Sequence, residues 1–295
     1  MYFLSDIEHK NLLYHLLPTA REASVSKELR GWSWPQPPLK PYFDDVKLPM
    51  YDVSSKYCPT SRDVYLRNVE KVHGVMSGRM ALGKLMHGLV SNSLQAFLQR
   101  RSVSFDDWWK TIRWGEICEN PENVKGYCAK AWEFMQTMCG ARYAEVSSRQ
   151  SYASELDLMA SAVPFLIEHK ISGELLGLSG ILSLDCYDYL RAIMFDLKVT
   201  GKPEEWHRLY SVGYALVFES VHEVPVDICC TVYLSFDDGK LGVDRDLFHA
   251  NDELRSWWIE ERDRKLEIVA QKKDPGKPEQ SQCKEYCPYF SVCYG

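Results

Sequence analysis

The sequence predicts an α/β (α+β) fold with one central sheet, and three patterns carry that expectation. Apolar residues recur at helical spacing from about Ser61 to Glu145, strand-like runs begin at Pro164, and a helix then alternates with further strand runs. A chain of 295 residues, 45% hydrophobic and 26% charged, can bury a full core in the manner of ordinary soluble proteins. No apolar run approaches the length of a membrane span. The start, "MYFLSDIEHK", lacks the basic-then-apolar layout of a signal peptide, so a cytoplasmic location without membrane association is expected.

Taken in order, "WSWPQPPLKPYFDDVKLP" (Trp32 to Pro49) is too rich in proline for regular structure and reads as a loop or extended arm. "PFLIEHKI" and "LSGILSLD" bracket the turn-like "SGELLG" and predict a hairpin, with "AIMFDLKV" as a third strand. The helix that follows has Gly201 before it, Pro203 in its first turn, and Glu204 and Glu205 at the positive end of its dipole. Trp206, Leu209, Tyr210, Gly213, Leu216 and Val217 then recur at three- and four-residue spacing. "PVDICCTVYLSF" returns to strand, "NDELRSWWIEERDRKLEIVAQKK" is a long amphipathic helix, and "DPGKPEQSQ" is a linker.

A formal net charge of −6 excludes a surface coated in basic residues, but nucleic acid needs only a local basic groove. Arg62, Arg67, Lys71, Arg79 and Lys84 offer one such set and "RDRKLEIVAQKK" another, although most of these read individually as a solvated helix face.

The strand "AIMFDLKV" holds the sharpest chemical signal. Alternation puts Ile193, Phe195, Leu197 and Val199 on one side and Asp196 with Lys198 on the other, roughly 7 Å apart along the backbone. A carboxylate beside an ammonium suits phosphodiester hydrolysis: the acid holds a divalent cation and the lysine steadies the nucleophile or the developing charge. The tripeptide alone is weak, since acid-x-Lys begins at Glu8, Asp45, Glu168, Asp196, Asp238 and Asp263. Only "IEHK" and "FDLK" lie in strand-like runs. "FDLK" is preferred because Asp185 ends the preceding strand where it can share a metal, Gly180 leaves room for an approaching group, and a helix follows. Glu168 and Lys170 read as a solvated strand face.

Ten cysteines are many, and three lie in the closing "CKEYCPYFSVC" at Cys283, Cys287 and Cys293, with Cys58 far upstream in "KYCPTSRDVYL". Proline after Cys58 and Cys287 keeps those thiols in loops. Four thiolates can hold zinc or an iron–sulfur cluster. Cys118, Cys139 and Cys186 read as core residues, and a disulfide scaffold is not expected.

This layout resembles the PD-(D/E)xK nuclease superfamily and its RecB-like branch, where an acid ends one strand, an acid-x-Lys occupies the next and a helix with a glutamine–tyrosine motif follows. A lone helical histidine is by itself more often structural, but the resemblance implies that His87 in "GRMALGKLMHGLV", four residues after Gly83, is a metal ligand. Tyr214 matches the motif tyrosine, whereas Tyr210 stands where the glutamine is expected. One upstream cysteine with three near the other end resembles the iron–sulfur RecB-like nucleases. "LRGWSWPQPPL", "YCPTSRDVYL", "GLSGILSLD" and "GYALVFESVHEVPVDICC" look like the archaeal Csa branch of the CRISPR-associated RecB-like exonucleases, over nearly the whole chain.

The resemblance implies a metal-dependent DNA nuclease, an exonuclease on single-stranded DNA, trimming DNA for CRISPR spacer acquisition beside the integrase and other acquisition proteins. His87, Asp185, Asp196 and the Leu197 carbonyl would bind Mn²⁺ or Mg²⁺, with Lys198 and Tyr214 completing the catalytic set. Cys58, Cys283, Cys287 and Cys293 would carry a 4Fe–4S cluster stapling the N- and C-terminal parts, and Arg62, next to the cluster loop, is the best DNA contact. The implied parts are an arm (1–60), a helical region with the histidine (61–150), the nuclease core (151–272) and the cysteine segment (273–295). The C-x3-C spacing is wider than the commonest family form, which keeps zinc open. A non-catalytic DNA-binding subunit and a zinc-stapled interaction protein are the alternatives, and homo-oligomerisation is left open.

Overall fold

Alternating apolar residues on five strands give the chain two cores, one on each face of a single sheet. The computed structural model describes residues 1–101, 103–114, 122–237, 239–284 and 287–295. Helices α1 (Asp6–Asn11) and α2 (Leu17–Glu22) come first, joined by a π-helical turn, and an irregular arm with short 3₁₀ turns follows. Next come α3 (Met50–Ser54), α4 (Arg62–Asn68), α5 (Gly78–Leu98), α6 (Phe105–Lys110), α7 (Glu122–Arg149) and α8 (Glu155–Ala162). The sheet begins with β1 (Phe165–Ile171), β2 (Leu182–Asp188) and β3 (Ile193–Val199), crosses through α9 (Arg208–His222) to β4 (Ile228–Asp237), and ends with β5 (Lys240–His249). α10 (Asp252–Gln271) and the short α11 (Phe290–Tyr294) complete the chain.

The strand order is β1-β2-β3-β4-β5, with β3 and β4 parallel and the other neighbours antiparallel. The third and fourth strands stand where the sequence puts them, and the hairpin forms with its second strand shifted to Leu182–Asp188 instead of ending at Asp185. β5 was not anticipated: "KLGVDRDLFH" scatters charges through the run, as an edge strand facing water tolerates. The helix after Gly201 starts later than expected. A 3₁₀ turn (Glu205–His207) precedes α9, and Pro203 and Glu204 lie before it, because the Glu204 carboxylate accepts from the Trp206 ring N–H, 2.6 Å away.

Phe195 and Leu197 join Cys230, Val232 and Leu234 in the core under α5 and α7, while Met194 and Cys229 join the core under α9 and α10. The predicted two-sidedness of β3 thus holds. β1 and β2 break it. Phe165 and Ile171 are six residues apart, which is in phase on a regular strand, yet they face opposite cores, as do Leu184 and Cys186. The reversal falls at Glu168, whose backbone is left-handed (φ 50), directly across from Asp185 in the register.

On the α9 face the arm is tied down by charge. Glu219, fully buried, accepts from Arg255 at 2.7 and 3.0 Å, from Arg30 at 2.9 Å, and from the N–H groups of Gly31 and Val226. Gly31 permits this approach, because a Cβ there would collide with the Leu216 carbonyl of α9. Arg262 and Lys265, both read in the sequence as part of a solvated basic face, are instead fully buried. Arg262 donates to the carbonyls of Leu39 and Pro38, and Lys265 to those of Val53 and Ser55. Among the described residues no helix is long and apolar enough to cross a membrane.

Replacing Glu219 with alanine removes the carboxylate partner of the buried Arg255, while Arg30 keeps Asp227, and losing one partner of a buried ion pair costs about 3–5 kcal/mol. The urea midpoint of Glu219→Ala should fall accordingly with an unchanged slope.

Candidate active site

The site opens where two strands stop pairing. The β2–β3 ladder joins Asp188 to Ile193, Tyr187 to Met194 and Cys186 to Phe195, and ends one step before Asp185 and Asp196. The Leu197 N–H, freed from the ladder, donates to Asp185 Oδ2 at 2.8 Å. Asp185 therefore does not end its strand, as the sequence suggested; β2 runs on to Asp188, and Asp185 sits at the point of divergence. Gly180 makes no room for a ligand, since the Glu174 carboxylate lies 3.0 Å from where a Cβ would be.

Helix α5 brings His87 to this opening, with Nδ1 3.2 Å from Asp185 Oδ1. Burial alone would lower the pKa of His87, but the Asp185 carboxylate outweighs it and holds the imidazole at about 8. Burial raises the carboxyl of Asp185, and the His87 contact and the Leu197 N–H more than reverse that, to a value below the usual range. Asp196 goes the other way: burial and the nearby Asp185 charge push it up against the pull of Lys198. Lys198 Nζ lies 2.8 Å from Asp196 Oδ2, and the ammonium is the partner of this buried carboxylate.

The other side of Lys198 faces a ring. Its Nζ sits 3.3 Å from the centroid of Tyr210, which occupies the expected glutamine position on α9. Tyr214, one turn on, is kept neutral by burial and by the Asp185, Asp196 and Glu168 charges. His87, Asp185, Asp196, Leu197, Lys198 and Tyr214 all line one cavity of about 800 Å³. The same walls carry Arg79, Lys84, Lys202 and Lys284, with Tyr51 and Tyr57. Lys202 and Lys284 went unnoticed in the sequence because loop lysines carry no periodic signal.

Glu168 is the main correction. Read as a solvated strand face, it is brought by the reversed pleat to the centre: donor atoms of His87, Glu168 and Asp185 all lie within 4.8 Å of one another. An imidazole nitrogen and carboxylate oxygens, with the buried Asp196 carboxylate lining the same cavity, fit a hard divalent cation such as Mn²⁺ or Mg²⁺.

Cys58, Cys283, Cys287 and Cys293 line a second, small cavity together with Arg62, Leu66 and Tyr289. Burial pushes the Cys287 thiol up. Arg62, expected on DNA, is held by Asp274, with Nη2 3.0 Å from Oδ2, and its Nη1 lies 3.3 Å from Cys293 Sγ. Four sulfurs with a guanidinium beside one of them are a fitting donor set for a metal cluster. Arg67 is likewise committed, to Asp52 and Tyr289. Cys139 and Cys186 are core residues as expected, whereas Cys118 and Asp238 lie outside the described residues.

A mixed sheet with a parallel β3–α9–β4 crossover, and a cavity uniting histidine, carboxylates and lysine at its parting strands, define an α/β protein with a metal-site donor set. The chain belongs to the family described as CRISPR-associated exonuclease Csa1, whose sequence profile matches residues 1–295. Two relatives carry that same description. One, from Saccharolobus solfataricus, is 28% identical over 279 residues, covering 92% of this chain and 93% of its own. The other, from Thermoproteus tenax, is 27% identical over 290 residues, covering 98% and 99%.

Two outcomes follow from this geometry. In the metal-free protein the His87–Asp185 pair stabilises the fold fully below the ordinary histidine pKa of 6.5, and that contribution is lost as pH rises through about 8. The melting temperature should fall across that window, and His87→Gln should flatten the fall. A desolvated cation–π contact is worth about 0.5–2 kcal/mol, so Tyr210→Leu should slow turnover by that much while Tyr210→Phe should not.

Proposed function

We propose that this chain is a divalent-metal-dependent DNA exonuclease of the PD-(D/E)xK, RecB-like type. It acts on single-stranded DNA or single-stranded ends during CRISPR spacer acquisition, in the cytoplasm and in company with the integrase and other acquisition proteins. The observation that carries this reading is the convergence of His87, Asp185, Asp196 and Lys198 on one cavity, with the Asp196 carboxylate buried there. Membership in a family described as exonucleases supports it.

His87, Asp185, Asp196 and the Leu197 carbonyl hold Mn²⁺ or Mg²⁺, which when bound polarises a phosphate and acidifies water. Lys198 offsets the negative charge that builds on the phosphate oxygens, or positions the attacking water. The Tyr210 ring and the Asp196 carboxylate fix the ammonium between them, so little reorganisation is needed as that charge develops. Tyr214 remains a phenol in the cavity wall, with its proton available to a bound phosphate. Arg79, Lys84, Lys202 and Lys284 supply cationic walls on a chain of net charge −6, and the rings of Tyr51 and Tyr57 suit unstacked bases better than a closed duplex. Cys58, Cys283, Cys287 and Cys293 hold a 4Fe–4S cluster, with Arg62 supporting that cluster more directly than it supports DNA.

Cleavage of end-labelled single-stranded DNA with Mn²⁺ tests the reading. Asp196→Ala and Lys198→Ala should each lower the rate at least ~10²–10³-fold, the scale of losing a preorganised electrostatic group, with melting temperatures close to that of the parent. A parent protein that retains DNA yet cuts none, at any metal concentration, would return the alternative of a non-catalytic DNA-binding subunit. Anaerobically purified Cys58→Ser should be colourless and iron-poor, and should melt earlier than Cys139→Ser. Full iron content in Cys58→Ser would remove it from the ligand set.

A further inference from the structure

We propose that Glu168 is a further side-chain ligand of the divalent cation, delivered to it by the reversed pleat of β1. This rests on the metal-dependent reading above. Its donor oxygen lies within 4.8 Å of the donor atoms of both His87 and Asp185. Two ligands on opposite sides of one Mg²⁺ are about 4.2 Å apart, so these three atoms need only small movements to share an ion. The buried Asp196 carboxylate, met by Lys198 Nζ at 2.8 Å, lines the cavity beside His87 and Asp185, so the centre gathers more carboxylate charge than that one ammonium offsets.

The backbone explains how Glu168 arrives. On an uninterrupted strand its side chain would keep the parity of Leu166, which packs against the α9 core. At φ 50 the chain instead takes a conformation that costs a non-glycine residue about 1–3 kcal/mol, and both β1 and β2 change faces at this point. Ser183 on the paired strand donates to Glu168 Oε2 at 2.5 Å, and among the described residues Oε1 accepts no hydrogen bond. One oxygen is thereby oriented by a neighbour and the other left for a ligand, as is usual for carboxylates around a metal.

Formal charge agrees. Asp185, Asp196 and Glu168 contribute three negative charges and Lys198 one positive; a dication beside a neutral His87 brings the centre to zero. Without Glu168 the loaded centre would carry a net positive charge.

Titration of the full chain, cluster included, with Mn²⁺ by calorimetry and by frozen-solution electron paramagnetic resonance tests the assignment. Glu168→Gln keeps the shape and the acceptor for Ser183 but removes the charge. Glu168→Gly suits the left-handed backbone and removes the side chain, so the fold survives even if the glutamine is not tolerated. Each should weaken Mn²⁺ binding about 10- to 100-fold, the range typical of groups that tune a metal site, and should alter the Mn²⁺ resonance. Both variants within about twofold of the parent, while Asp185→Asn loses the ion, would leave the metal centre standing and overturn the role of Glu168. A parent protein that binds no Mn²⁺ would overturn the metal reading and this inference together.

Discussion

Two carboxylates placed side by side in a low-dielectric pocket repel one another, and each needs a cation or an N–H to stay charged. Asp185 and Asp196 are forced into that position where β2 and β3 cease to pair, and the surrounding structure answers the demand group by group. The Leu197 amide and His87 serve Asp185, and Lys198 serves Asp196. Position alone distinguishes the two acids: the better-served Asp185 is held ionised, and the worse-served Asp196 is pushed toward its neutral form. A dication would relieve both, which is what the proposed metal role asks of this pair.

Distant charge supports that arrangement. Glu219 and Arg255 fasten α9 to α10 and to the arm, and α9 in turn presents Tyr210 to Lys198 and Tyr214 to the cavity. Arg262 and Lys265 spend their donors on arm carbonyls, which fixes the stretch that supplies Tyr51 and Tyr57 to the cavity. The close approach of α3 and α10 to α9 depends on Gly213, since a Cβ there would collide with Trp258 and with Met50. The irregular arm is thus ordered without a ladder of its own.

The period-two pattern of "AIMFDLKV" made β3 and its acid–lysine face legible, because alternation is a local property that survives in the fold. His87 was legible only through family likeness, since nothing local marks a helical histidine that reaches an opening between two strands. Glu168 was misread for a definite reason: a left-handed φ at a glutamate leaves no trace in side-chain chemistry, and regular alternation predicts the opposite face. The basic residues of α10 were misread because their partners are carbonyls of an irregular segment, which no charge pattern reveals. Glu219 carried a usable signal, an acid in the apolar "YALVFES", where an unpaired charge would be too costly to bury.

The cavity is walled in part by Cys283, Lys284, Cys287 and Pro288, and the Pro288 carbonyl accepts from the Val75 N–H at 2.9 Å. Tyr289 is buried against Tyr65 and Leu66. These wall residues are translated after every strand of the sheet and after both helices that carry His87 and Tyr214. The wall therefore comes from the segment after the sheet, and removing residues from 283 onward takes Cys283, Lys284, Cys287 and Pro288 out of the cavity lining.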